Sequence, residues 1–330
     1  MPSLDPRLKK PRTTESAPEA SLHPRRKRIQ SVPFYLLLLP ALLGMCQPGV
    51  DLSGKNQGRF YAAAGTVSLG KILKARRGGR LVNVYAWDKN PRIHIFDFPD
   101  LKSQGRALNR IAAFVEKKGV RGKILNDQKL RRYIRKTGSS PSVFYMAHDY
   151  RDRDLRRFFR KASARPGLLN REELTLRSEL TRLGFLSSQG GKNGSAPILL
   201  SFARDISPEF RRMFLFHEIR HALYFDNARY RRICDVFWRK RMTEEDREIF
   251  RLILDAYNYD VKYGYLVRNE FQAFLLQKEV PAEEYLDGIQ GRKQRRIIRK
   301  YRLENPNRLN LLRRALARDL KSFDSLFRLE

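Results

Sequence analysis

The sequence predicts an α+β domain: a small sheet in the first part of the chain and a mostly helical C-terminal half. Two patterns carry this reading. Short β-branched and aromatic runs cluster between residues 80 and 147, whereas apolar residues spaced three and four apart dominate from residue 170 onward. The chain also has enough apolar material for a core, at 42% hydrophobic and 11% aromatic over 330 residues.

The first 24 residues are polar and Pro-rich. They lead into RRKR (25–28) and an apolar run, Val32 to Met45, of 14 residues. A basic cluster before a short apolar run predicts a secretory signal peptide over 1–45. The run is too short for a membrane span, which needs about 20 apolar residues. LLGMC (42–46) resembles a bacterial lipobox, in which Leu43 fits and Met45 departs from the small residue usual before the cysteine. That resemblance implies lipidation of Cys46. The expected location is therefore outside the cytoplasm, either in the periplasm or anchored to a membrane through Cys46. The other cysteine, Cys234 in ICDVFW, reads as a small buried hydrophobe.

Residues 46–80 carry Gly, Gln and Ser without periodicity and are expected to form a flexible tether. A single domain then spans 81–330, an α/β part over 81–165 and a helical part over 166–330. RLVNVYAW (80–87) and RIHIFDF (92–98) read as strands joined by the turn DKNP. Residues 103–118 show helical apolar spacing, SVFYMA (142–147) is a further strand candidate, and DRDLRRFFRKA (152–162) is a basic helix. Asn170 with Glu173 forms a capping-box pattern, and Gly184 suits a helix C-cap. SSQGGKNGSAP (187–197) is a loop by composition, and ILLSFA (198–203) is a short apolar strand. Ser207-Pro208-Glu209 is a strong helix start. Near the end, RKQRRIIRKYR (292–302) is basic, and 306–327 has the pattern of a closing amphipathic helix.

Lys plus Arg outnumber Asp plus Glu by 68 to 35, a formal charge of +33. Without residues 1–45 the charge is still +28, so the basic character belongs to the body. It predicts attraction to anionic membrane or envelope surfaces. Charge alone confers no sequence specificity, and no specific nucleic acid is expected.

The stretch MFLFHEIRHALYF (213–225) holds two of the five histidines. It is apolar nearly all round, the mark of a buried helix. Burying two imidazoles and a carboxylate is costly unless partners satisfy them. Residues four apart share a helix face, so His217 and His221 aim at one point, where a divalent cation would satisfy both. Glu218 lies one step round, suited to touch a water on that cation rather than to bind the cation itself. This is the H-E-x-x-H pattern of zinc hydrolases, which need a third protein ligand and one open position. A metzincin extension is absent, since Tyr224 and Asn227 stand at its positions. Asp226 follows too closely on the same helix. Glu270, in the apolar stretch RNEFQAFLLQ (268–277), is the better candidate, with Asp255 and Asp260 as alternatives.

Asn269-Glu270 followed by Ala273 is similar to the N-E-x-x-A context of the third ligand in gluzincins, zinc metallopeptidases with a distal glutamate ligand. The resemblance covers about 208–225 and 266–275. It implies a zincin-like fold, Zn2+ held by His217, His221 and Glu270, Glu218 as general base, and a peptide or protein substrate. The 48 residues between His221 and Glu270 exceed the gap in the best-known members. The same resemblance implies a sheet-edge strand beside the zinc helix, for which ILLSFA is placed as well as for a plain core strand. It also implies an oxyanion-steadying side chain, with Tyr259, Tyr263 and Tyr265 at hand and none singled out. Two other classes fit the composition: a basic envelope protein with a structural or inactive zinc site, and a nucleic-acid binder.

Overall fold

The computed structural model describes residues 61–75, 79–187, 196–277 and 289–329, all within one compact unit, Gly54–Glu330. The expected signal segment, Cys46 and most of the loop 187–197 lie outside the described residues.

Five strands form one mixed sheet in the order β1-β2-β3-β5-β4. They are β1 (Tyr61–Val67), β2 (Val82–Trp87), β3 (Asn90–Phe98), β4 (His148–Arg151) and β5 (Ile198–Ala203). β2 and β3 form the expected antiparallel hairpin, β1 runs parallel to β2, β3 parallel to β5, and β4 antiparallel to β5. Helices α1 (Leu69–Leu73), α2 (Leu101–Glu116), α3 (Asp127–Lys136), α4 (Asp152–Ser163) and α5 (Arg171–Arg182) are interspersed with the strands. After β5 come α6 (Pro208–Asp226), α7 (Ala228–Lys240), α8 (Glu244–Ala256), α9 (Gly264–Leu276), α10 (Ile289–Glu304) and α11 (Arg308–Asp319), then a 3-10 turn over Lys321–Phe327.

The strand period of two distributes side chains to two cores. From β5, Leu199 and Ala203 pack toward α2, α4 and α5, with Phe96, Leu108, Phe158 and Leu176. Ile198, Leu200 and Phe202 face the other way, into the core of α6–α9, with Leu215, Ile219, Phe250 and Phe271. β5 is buried along its whole length because it has a helical layer on each face.

Three expectations need correction. The tether does not extend to residue 80, because β1 and α1 belong to the folded unit. β1 was hidden because it is an Ala- and Gly-rich edge strand with a register shift between Ala63 and Thr66, where Gly65 takes φ +77°; such a bulge breaks the alternation that marks a strand. The division into an α/β part and a helical part also fails, since β5 and α5 from the second segment complete the sheet and its first core. Finally, SVFYMA is not a strand. The strand starts at His148, while Phe144 and Tyr145 turn their rings onto Lys117.

Candidate metal centre

α6 starts as its sequence dictates. Ser207 accepts a hydrogen bond from the Phe210 N–H at 3.3 Å, and Pro208 occupies the first turn. A cap of this kind contributes about 1 kcal/mol. No residue from Met213 to Tyr224 is exposed. Asp226 at its end accepts from Asn90 and Arg92, at 2.8 and 2.7 Å, and takes no part in the centre.

α9 packs against α6 and places Glu270 mid-helix, not at a helix start where an acid would be routine. Glu270 Oε2 lies 3.6 Å from His221 Nε2 and 3.9 Å from His217 Nε2. One donor atom from each of the three side chains falls within 4.8 Å of the others. A tetrahedral ion with bonds of 2.0–2.1 Å separates its ligand atoms by about 3.3 Å, so only small adjustments would close the set. His217 is oriented from behind. Its Nδ1 pairs with Gln277 Oε1 at 2.8 Å, the Gln277 amide donates to Met213 Sδ, and the Phe274 ring meets the imidazole edge to face.

The alternatives for the third ligand lie elsewhere. Asp255 pairs with Lys118 at 2.6 Å and Asp260 with Arg121 at 3.7 Å. Nor does Arg220 neutralise Glu218: it donates to the Phe216 carbonyl and stacks on Phe327. Of the three tyrosines before Glu270, Tyr263 packs on Arg121 and Tyr265 on Arg151, while Tyr259 faces Glu270 and Lys117. His94 contacts Phe185, and His148 pairs with Tyr150, which suits structural roles. Cys234 is fully buried and free, as expected. ILLSFA is not an edge strand: β5 lies between β3 and β4, and both its edges are already hydrogen-bonded. The edge is β4.

Sequence reasoning missed the rest of the centre. An oxygen of Asp149 and one of Glu218 lie within 4.8 Å of each other and of a His221 nitrogen. Asn269 donates to Asp149 at 3.5 Å. Glu116 and Lys117, where α2 ends, are pinned to the approach of α9: Lys117 forms an isolated bridge with Tyr259, and the Asp260 N–H donates to the Glu116 carbonyl at 2.7 Å. Tyr145 donates to Glu116, and Lys117 Nζ donates to the Tyr257 carbonyl among the rings of Phe144, Tyr145 and Tyr259. No local pattern marks these residues, because β4 has four residues and α2 ends where its acid and its lysine begin.

The centre is short of positive charge. Burial first, then Asp149 and Glu116, push the Glu270 carboxyl well above the usual range. Burial, Asp149 and Glu270 do the same to Glu218. Glu116 is pushed up to about 8 by burial and Asp149, and Asp149 to about 8 by burial against the pull of Arg151. Burial drives Lys117 down to about 8, against Glu116 and Glu270. Burial lowers His217 well below its ordinary value, helped by His221 and Arg220, and takes His221 to about 4. Both imidazoles are therefore neutral and able to bind a metal. Glu218 Oε2 and Glu270 Oε2 are buried with no hydrogen-bond partner. Two neutral imidazoles, a carboxylate with an unpartnered oxygen and an excess of buried acid together suit a divalent cation.

The centre is nearly closed: His217 is 8% and Asp149 9% exposed, and Glu218, His221 and Glu270 less. The basic segment 292–302 lies on α10, with Lys293, Arg296, Arg299 and Lys300 toward solvent or partly so, and Tyr301 buried. No helix among the described residues is long and apolar enough to cross a membrane. No family model, curated protein or solved structure matches the chain.

Proposed function

We propose that the chain is a zinc-dependent peptidase that hydrolyses peptide bonds, with His217, His221 and Glu270 holding the ion and Glu218 as general base. The observation that carries this reading is the convergence of a distal buried carboxylate on two neutral imidazoles four residues apart. Zinc held by His217, His221 and Glu270 would supply Lewis-acid chemistry, acidifying a water to a pKa of roughly 7 and polarising the scissile carbonyl. Glu218 takes the proton of the attacking water on a carboxylate oxygen and passes it to the departing amine. Gln277 and Phe274 hold the His217 ring in its binding orientation. The near-absence of bulk water around Glu218 strengthens its interaction with developing charge. In the same proposal the protein is exported, to the periplasm or to a membrane through Cys46, and its basic body holds it near anionic envelope surfaces.

A second reading, a zinc centre that serves the fold alone, is favoured by the burial of every donor. One experiment separates the two. Purified parent protein should hold one zinc per chain. Glu218→Gln should keep that zinc and lose at least a hundredfold of hydrolysis on an unstructured protein such as casein. Parent protein without zinc overturns the metal assignment. A Glu218→Gln variant as active as the parent overturns the role of the base, and zinc-loaded parent that cleaves nothing supports the structural reading.

A further inference from the structure

Helix α10 carries its cations on one side. At about 3.6 residues per turn, Lys293, Arg296, Arg299, Lys300 and Leu303 fall within about a third of the circumference, and all five are exposed. They run along about 15 Å of the helix. The opposite side is the one that packs: Gln294 and Tyr301 are buried, and Ile297 and Ile298 lie against the core of α6–α9. Tyr257 donates to Gln294 at 2.6 Å and Tyr301 donates to Asp246, which fixes the rotation of the helix.

The outward charges have no counterpart. Among the described residues Lys293, Arg296 and Arg299 make no ion pair, and Lys300 meets Glu304 at 3.8 Å with both side chains well exposed. The neighbouring helix is built the other way: on α8, Arg247 and Arg251 pair with Glu244 and Glu248 at 2.6–3.1 Å. An ordinary solvated face mixes its signs as α8 does. The stripe on α10 runs instead into Leu303, 74% exposed, and Leu311, past the turn at Asn307, is 56% exposed. A row of cations beside exposed leucines matches an anionic bilayer, whose headgroups take the charge and whose acyl boundary takes the leucine. It suits nucleic acid less, because stacking on bases needs an aromatic ring and the one on this helix, Tyr301, is buried.

We propose that α10 is the face by which this protein docks on an anionic phospholipid bilayer, with Lys293, Arg296, Arg299 and Lys300 along the headgroups and Leu303 inserted between them. The proposal rests on the attachment to anionic envelope surfaces proposed above and narrows it from the whole basic body to one helix. It does not depend on the zinc centre.

The test measures binding of the full chain to vesicles of mixed phosphatidylglycerol and phosphatidylcholine at about 0.15 M salt, where exposed charges more than about 8 Å away are screened. Lys293→Gln, Arg296→Gln and Arg299→Gln combined should weaken binding about a hundredfold, at about fivefold per cation. Arg131→Gln, Arg132→Gln and Arg135→Gln combined remove the same charge from an equally exposed helix, α3, and should leave the affinity within about threefold of the parent. Leu303→Ser should lose about fivefold. Equal losses in the two triple variants would show that net charge alone drives binding and overturn the proposal, as would an α10 variant that binds like the parent. Parent protein that binds duplex DNA more tightly than these vesicles, and loses it in the α10 variant, assigns the face to nucleic acid instead. A second measurement decides should the α10 variant fail to fold. In a Cys46→Ser background, a polarity-sensitive fluorophore on Leu303→Cys should shift to the blue when vesicles are added, and one on Arg132→Cys should not. No shift at position 303 overturns the proposal. If the parent binds no anionic vesicle, the attachment reading fails first and this one with it, while zinc content and hydrolysis report on the peptidase separately.

Discussion

Two buried ionic clusters of this fold solve opposite problems. In the first, Asp97 is fully buried between Arg204 and Arg211, which are 1% and 3% exposed. Arg204 reaches Asp97 at 3.4 Å and donates to the Asp97 and Leu81 carbonyls, both at 2.6 Å. Arg211 reaches Asp97 at 3.3 Å and donates to the carbonyls of Ile72 and Leu73. The surplus guanidinium charge is spread over backbone oxygens, and only the two Nε–H groups lack partners. The cluster ties α1 and the approach to β2 onto the sheet and closes on itself. In the candidate metal centre the sign is reversed. Of four acids, Glu116, Asp149, Glu218 and Glu270, Lys117 acts on Glu116 and Glu270, Asp149 has only the pull of Arg151, and the oxygens left unpartnered belong to Glu218 and Glu270. The difference shows how to tell scaffold from site: a scaffold cluster satisfies its own charge, and a site leaves a deficit of one sign for something else to fill.

Breaking the first cluster should have the largest effect on stability. Asp97→Ala leaves two buried guanidinium groups unpaired and should cost about 3–5 kcal/mol in urea unfolding, with zinc binding retained in whatever fraction folds. A loss under 1 kcal/mol would mean that the backbone carbonyls alone carry the arginines.

A third cluster, around Asp246, sharpens the comparison because this acid is buried like the others yet matched by Arg308, which is partly exposed. Burial pushes its carboxyl up, but hydrogen bonds from Arg308, Tyr301 and Thr243 outweigh that and hold it at about 2. Its folded value lies below the unfolded value near 4, so its contribution is full above pH 4 and is lost as pH falls toward 2. That contribution is on the order of 2 kcal/mol. Asp246→Asn should be destabilised by this amount at pH 6 and should lose less than the parent on acidification. Parallel pH profiles for the two would refute the assignment.

The smallest effect has the opposite sign. In metal-free protein at pH 8, Glu270→Gln should be as stable as the parent, or more stable by up to roughly 2 kcal/mol, because it removes one of several crowded buried acids. The same variant should bind no zinc. If it unfolds more readily than the parent without metal, the acid is part of the scaffold and the contrast between the clusters is lost.

Much of α6 was legible in advance. The Ser207 cap, the apolar run and the histidine spacing are local facts, and helical periodicity turns them into one face. Glu270 was legible as an unexplained acid in an apolar stretch, although the start of its helix was not, since α9 begins at Gly264 without a side-chain cap. β1 and Asp149 were not legible. A bulged, Ala-rich edge strand and a four-residue strand carry too little periodicity to be seen without their neighbours.

The sequence by itself determined that His217 and His221 share one side of a buried helix with Glu218 beside them, because a period of 3.6 residues per turn needs no partner to act. Only the tertiary structure decided that Glu270, rather than Asp255 or Asp260, meets those imidazoles, and that Asp149, Glu116 and Lys117 stand around them. Those positions depend on how α7 and α8, which join α6 to α9 in the chain, let those two helices pack together, and on which strand pairs with β5. Both are set by burial summed over the whole core, which no short stretch of chain encodes.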